Sequence, residues 1–374
     1  MQNKILGINK NARKERMIKV EITILPKDYI ITTSNSYEYT YFSDFMLRAL
    51  RIKNTTESTM EIQEVSFVVK KNGQIIKEYV YSNETLNFWI PTWNKRIKSI
   101  ESQIEAYIGA KKLWDYSSLA EGTRLEPSME IGLRNEYFHI VYNEILDELV
   151  VQVKYIQEGI EYKESKNISL IKYENKNKYI FPVKGAWSAA GTSSSITDHR
   201  QRNIDEFAFD LTKLDKNQMI LLNKDAKEED SPCYGEKVYA IADGIVVQVY
   251  EEMRENTIGI SAEEEKRIVA IHGYWQVITG NIITIEHDGG EHSQCDHLQY
   301  HSVNLKVGER VKQGQVIGKV GNTGLSNCPH LHFELTTGFH GEARSLPCFF
   351  TNIRNVNGDS IDIIKEENSI IHAE

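Results

Sequence analysis

Two histidines two residues apart, in the run Cys328-Pro329-His330-Leu331-His332-Phe333-Glu334-Leu335, are the first residues here whose types and spacing could do chemistry. In an extended strand alternate side chains share a face, so His330, His332 and Glu334 look one way while Leu331, Phe333 and Leu335 pack behind them. An imidazole pair held in that way suits a metal ion, although a lone His-X-His is equally compatible with ordinary surface or core histidines. Three further segments bear on the choice: Thr197-Asp198-His199-Arg200, Phe207-Ala208-Phe209-Asp210-Leu211 and Cys295-Asp296-His297-Leu298. In the second of these a strand that buries both phenylalanines turns Asp210 to the opposite face. A carboxylate among apolar neighbours needs a partner. A salt bridge is the ordinary answer for an isolated aspartate, and histidines elsewhere in the sequence favour a metal.

The elements that would position these residues are short and β-rich. A glycine turn, Gly321-Asn322-Thr323-Gly324, precedes the histidine pair. Residues 238–249 pattern as strand, tight turn at Asp243-Gly244 and strand, and residues 307–320 as three glycine-punctuated short strands, the texture of a barrel-sandwich hybrid. The charged stretch 250–280, with Glu263-Glu264-Glu265-Lys266-Arg267, reads as a solvated insertion that could border a cleft. Upstream the pattern differs. Residues 62–69 and 75–81 flank Asn72-Gly73, a strong hairpin signal, and a second pair flanks Gln157-Glu158-Gly159. Ile97, Ile100, Ile104, Tyr107 and Ile108 recur at helical spacing after Pro91, which predicts one amphipathic helix inserted among strands. His139, in an apolar run, is expected as a packed strand residue. The fold class is therefore mainly β: a β-rich domain over 1–180, sandwich-like on one reading and carrying a helical insertion, a second domain over 181–351, and a tail over 352–374.

At 374 residues the chain suits two domains, and 40% hydrophobic with 26% charged residues is a globular composition. A net charge of -9 opposes a general polyanion binder, so no nucleic-acid partner is expected. No stretch reaches the roughly 18 apolar residues of a membrane span, and no secretory h-region is visible at the start. The sequence therefore points to a cytoplasmic location or to export without a leader. Cys233, Cys295, Cys328 and Cys348 lack the spacing of a zinc ribbon and are expected as reduced thiols, a disulfide or thiol–metal contact at Cys295 and Cys328 being the alternative.

Taken together, His297-Leu298, the glycine-punctuated 307–320 segment, Gly321-Asn322-Thr323-Gly324 and Pro329-His330-Leu331-His332-Phe333 resemble the lysostaphin/LytM-type zinc metallopeptidases across roughly 186–350. The best-known members of that family cut peptide bonds in bacterial peptidoglycan. The resemblance implies a duplicated hybrid β fold, one Zn2+ per chain on His199, Asp210 and His332, and catalytic roles for His330 and His297. Ten residues separate His199 from Asp210, where the family's short form has only a few, which leaves Asp205 and Asp198 as fallback ligands. Three protein ligands would leave a fourth position for water. His330 would then accept the water's proton, and His297 would bind the developing oxyanion or exchange roles with it. Glu334 is either a support for a ligand imidazole or an exposed strand residue, and His287, His292 and His301 read as peripheral. The function implied is a zinc endopeptidase acting on peptidoglycan peptide, the competing reading a non-catalytic module that binds a partner or the wall. A likeness of 307–320 to biotinyl and lipoyl carriers lacks their attachment turn. For the first domain, binding a wall polymer, docking a partner and shielding the cleft all stay open, as does the oligomeric state.

Overall fold

Residues 19–37, 40–190, 198–215, 228–256, 262–272, 274–338, 343–364 and 369–374 are described by the computed structural model. In the first half the long strand Thr40–Asn54 pairs with Glu130–Tyr142 on one side and with Val20–Leu25 and Thr33–Tyr37 on the other. A second sheet runs in the order Tyr29–Ile31, Ile160–Ile171, Glu148–Gln157, Met60–Lys71, Gln74–Ser82. Alternate residues close a core between the two sheets, with Val65, Phe67 and Val69, and Leu149, Val151 and Val153, meeting Phe45, Leu47, Phe138 and Ile140. This is a sandwich. Both hairpins turn through paired left-handed residues, Asn72-Gly73 at φ 49° and 78° and Glu158-Gly159 at φ 53° and 75°.

One irregularity in the first sheet matters later. The core-facing positions of Thr40–Asn54 change parity, from Phe45 and Leu47 to Leu50 and Ile52, and those of its partner change from Ile131 and Leu133 to Phe138 and Ile140. The changeover falls where Arg48 faces Asn135, a position missing from the paired ladder and at which Asn135 has φ 55°.

The helical insertion differs from its expectation. The helix spans Asn83–Lys98 with Pro91 inside it, because Ser82 caps its N-terminus by accepting from the Thr85 N–H. It stops at Ser99, and the apolar positions beyond continue in a separate short helix, Ile104–Ile108, ended by Gly109 at φ 70°. His139 is also not a packed residue: its side chain is half exposed and its Nδ1 lies 2.6 Å from Asp44.

The second half is built on an 11-stranded sheet. Its central strands run Gly244–Tyr250, Ile282–Glu286, His292–Asp296, Leu331–Thr336, Phe209–Lys213 and Gly185–Ala190. Lys237–Tyr239 pairs separately with Val316–Lys319, so the two strands flanking Asp243-Gly244 enter different sheets rather than forming a hairpin. Of the three short strands expected in 307–320, two form, Arg310–Val311 and Val316–Lys319. The segment taken as a tail is structural: Ile370–Ala373 pairs with Gly185–Ala190 and Ile353–Asn355 pairs with Ile370–Ala373. Ile353, Ile364 and Ile371 are buried in the same core as Trp187 and Phe333, which is why these strands stay docked.

Candidate active site

Strand register assembles the centre of the site. Leu331–Thr336 lies between two antiparallel neighbours, with His332 opposite Asp210 on one side and opposite Asp296 on the other. Directly opposed residues share a face, so Asp210, His332 and Asp296 form a row across three strands. The adjacent row, Phe209, Phe333 and Cys295, points to the other face and is buried in the core. The alternation read from the sequence thus fixes which side the carboxylates and imidazole take.

His199 comes to this row from the short 3-10 turn Asp198–Gln201, with its Nε2 3.3 Å from Asp210 Oδ2 and its ring perpendicular to that of His332. His332 Nδ1 lies 3.0 Å from Asp210 Oδ1. His330 precedes the strand and brings its Nε2 to 3.5 Å from the same oxygen. His297 follows its strand at φ 60° and turns back, placing its ring 4.6 Å from that of His330. All five predicted residues therefore border one cleft of about 530 Å³. Its lining includes Trp275, Gln276 and Thr279 of the helix Tyr274–Thr279, so the insertion does border the cleft.

Backbone carbonyls set the tautomers of the two flanking histidines. His297 Nδ1 is 2.7 Å from the Thr323 carbonyl and His330 Nδ1 is 2.9 Å from that of Cys328. A carbonyl only accepts, so each Nδ1 carries a proton, and in the neutral ring Nε2 is the lone-pair nitrogen. The glycine turn supplies the first of these carbonyls, and the segment just before His330 supplies the second. Gly324, at φ 75°, lies so close to Gly280 that a Cβ would come within 2.4 Å of its backbone nitrogen.

Electrostatics divide the groups. Burial, then the neighbouring His330 and His332, holds His297 well below the usual imidazole range, so it is neutral at neutral pH. Burial alone would lower His332, but its hydrogen bond with Asp210 and the charges of Asp210, Asp296 and Asp205 push it up to about 10. Burial opposes ionisation of Asp210 too, yet bonds from His199 and His332 keep it well below the usual carboxylate range. At the far end of the row burial pushes Asp296 up to about 7, and burial with Asp205 raises Glu334.

One ligand atom from each of His199, Asp210 and His332 lies within 4.8 Å of the other two, a nitrogen and carboxylate donor set that suits zinc. His199 Nδ1 is buried with no protein partner. Asp205 stands elsewhere, ion-paired to Arg202 at 2.5 Å and grouped with Glu334 on a second flank of His332. The Asp198 side chain lies outside the described residues. Glu334 is buried rather than exposed. The four cysteines are free, and Cys295 faces the core, away from the cleft. His287 is buried apart from the cleft, its ring nitrogens near the Asp243 carbonyl and the Ser293 hydroxyl. Sequence reasoning missed Asp296 as a member of the row, though its position beside His297 was a signal. It also missed the carbonyls of Thr323 and Cys328, for which side-chain identity gives none.

With this geometry in place, comparison with known proteins bears directly on the C-terminal half. Residues 230–344 match Peptidase family M23. The chain thus carries an M23 domain, as the resemblance implied. The M23 match takes in His297, His330 and His332, whereas His199 and Asp210 precede it. Among curated proteins, the glycyl-glycine endopeptidase ALE-1 of Staphylococcus capitis is 42% identical over 72 residues, 19% of this chain and 20% of that protein. The peptidoglycan DD-endopeptidase ShyC of Vibrio cholerae is 46% identical over 68 residues, 18% of this chain and 15% of the relative. The chain thus spans a fifth or less of the length of these relatives. Among solved structures, the catalytic domain of lysostaphin from Staphylococcus simulans is 26% identical, with a TM-score of 0.23, over 38% of this chain and 78% of that one. Among the described residues no helix is long and apolar enough to cross a membrane.

Proposed function

We propose that the protein is a zinc-dependent endopeptidase that hydrolyses peptide bonds, with peptidoglycan peptide as its substrate. The observation that carries this reading is the meeting of His199, Asp210, His297, His330 and His332 around one open cleft. The M23 match and the peptidoglycan endopeptidases among the relatives support the substrate class. His199, Asp210 and His332 would hold the ion. When bound there, zinc supplies Lewis acidity that polarises a carbonyl and makes a water more acidic.

The remaining chemistry belongs to side chains. His330 presents an Nε2 lone pair beside Asp210 and accepts a proton from a water in the cleft. Its own Nδ1–H, tied to the Cys328 carbonyl, keeps the ring aimed while it does so. His297 presents its Nε2 from the other side. Burial makes it a reluctant holder of a proton, so the proton that His330 takes from the water, once passed to His297 Nε2, is readily given up to the departing amine. The ring separation of 4.6 Å lets the two imidazoles exchange these roles. The aromatic and polar side chains of Trp275 and Gln276 also line the cleft, where they could contact a bound peptide.

Zinc analysis of the purified chain, together with digestion of muropeptides, tests this reading. One equivalent of zinc and release of peptide fragments are expected. His330→Ala should retain the zinc and lose turnover by about 10²–10⁴-fold, the range for a positioned general base. Stoichiometric zinc without cleavage of any wall peptide would make the protein a binding module, and full activity in His330→Ala would remove the catalytic assignment.

A further inference from the structure

The turn that carries His199 is held largely by the other half of the molecule. Arg48, on the first sheet of the sandwich and 1% exposed, donates from one guanidinium nitrogen to the Arg200 carbonyl at 2.8 Å and to Asn135 Oδ1 at 2.9 Å. Its other terminal nitrogen lies 2.8 Å from Glu206 Oε2, and that carboxylate is also buried. Asn135 in turn donates to the Gln201 carbonyl at 2.9 Å. The Tyr137 ring lies beneath the Arg200 guanidinium at 5.1 Å. From the helical insertion, the Ala106 carbonyl accepts the Asn203 N–H at 2.9 Å, and Gly109 packs so closely that a Cβ would meet the Asn203 side chain at 2.6 Å.

These contacts converge on residues 200–206, immediately after His199 and before Asp210. The parity change at Arg48 and Asn135 has its use here. It takes the two side chains out of the sandwich core alternation at the position where the peptidase half docks. A planar guanidinium that bridges a carbonyl, an amide and a carboxylate fixes orientation as well as distance, which a flexible ammonium does not.

We propose that the sandwich is a working part of the metal centre, in which Arg48 and Asn135 are positioning residues that hold the His199 turn at ligating distance. The sandwich is then neither a detachable cover for the cleft nor an independent appendage. The inference rests on reading His199 as a metal ligand, and it assigns a role to a half of the chain that lies outside the M23 match.

The test uses the full chain and the metal alone. Zinc affinity is measured by competition with a chromogenic chelator, and the visible spectrum of the Co2+-substituted protein reports ligand geometry. Wild type should bind one equivalent, and His332→Ala should lose it. Arg48→Met and Asn135→Ala should keep their circular dichroism and cooperative unfolding, bind zinc about 10–100-fold more weakly and show a changed cobalt spectrum, as expected when a support behind a ligand is lost. Arg48→Lys should restore part of the affinity. Should Arg48→Met fail to fold, Asn135→Ala, which removes one neutral amide, decides by the same readouts. Wild-type affinity and spectrum in both variants, with loss in His332→Ala, would overturn this inference alone. A wild type that binds no zinc would overturn the reading of the site, and this inference with it.

Discussion

Asp205 is buried and Asp210 partly so, yet they stand on different flanks of His332, and only Asp210 also meets His199. Asp210→Ala should therefore abolish stoichiometric zinc binding, whereas Asp205→Ala should retain it, as measured by metal analysis after dialysis. The same geometry sets a pH dependence. In the metal-free centre Asp210 keeps His332 protonated, with its titration pushed up to about 10. A ligand nitrogen must be free of its proton, so binding releases one proton, and affinity falls by up to about tenfold per unit as pH drops below that range. Chelator competition at pH 6 and pH 8 should show tighter binding at pH 8. The facing of Asp210 and His332 was legible from strand alternation, whereas grouping them with His199, His297 and His330 came from the resemblance to a family, not from any local pattern. Asp296 was less legible because its place depends on strand register, which no local pattern states.

At the scale of elements, three antiparallel strands bring the row together and a glycine turn aims the His297 imidazole. Gly324 combines a left-handed φ with contact against the Gly280 backbone, so both requirements fall on one residue. Gly324→Ala should cost about 1–2 kcal/mol from backbone strain alone, with steric displacement added, and should lower kcat along with the melting temperature because Thr323 moves with it. Calorimetry and peptide turnover on the same preparation check both. The hairpins were legible because Asn72-Gly73 and Glu158-Gly159 state their turn type locally. The limits of the helix were not. Its start depends on the Ser82 cap rather than on apolar spacing, and the packing of Leu86 and Ile90 into the sandwich core outweighs the proline within it. The strands at Ile353–Asn355 and Ile370–Ala373 were missed for a related reason, since short segments gain strand structure from the edge they meet.

For the whole molecule, the mainly β class and a change of texture between the halves could be read from alternation and glycine spacing. The joint between the halves could not, because Arg48 and the Arg200 carbonyl are 152 residues apart. A buried arginine in a strand gives no hint of the partner it will find. An ion held at the proposed site would add to the stability of the fold as any ligand of the native state does. Zinc at 100 times its dissociation constant should contribute about 2.7 kcal/mol, so chelation should lower the melting temperature and added zinc should restore it. Equal melting temperatures with and without a chelator would count against a native zinc site.

The row of Asp210, His332 and Asp296 also has a kinetic side. Asp210 and His332 are separated by 122 residues, and their contact needs strands from distant parts of the sequence to be in register. Such non-local pairings form slowly, because the entropy of closing the loops must be met before any contact rewards it. A half-built centre would have His199 and Asp210 but no third donor, and so little hold on an ion. At the proposed metal site, uptake of an ion during refolding should therefore report the moment at which the strand Leu331–Thr336 comes into register with Asp210.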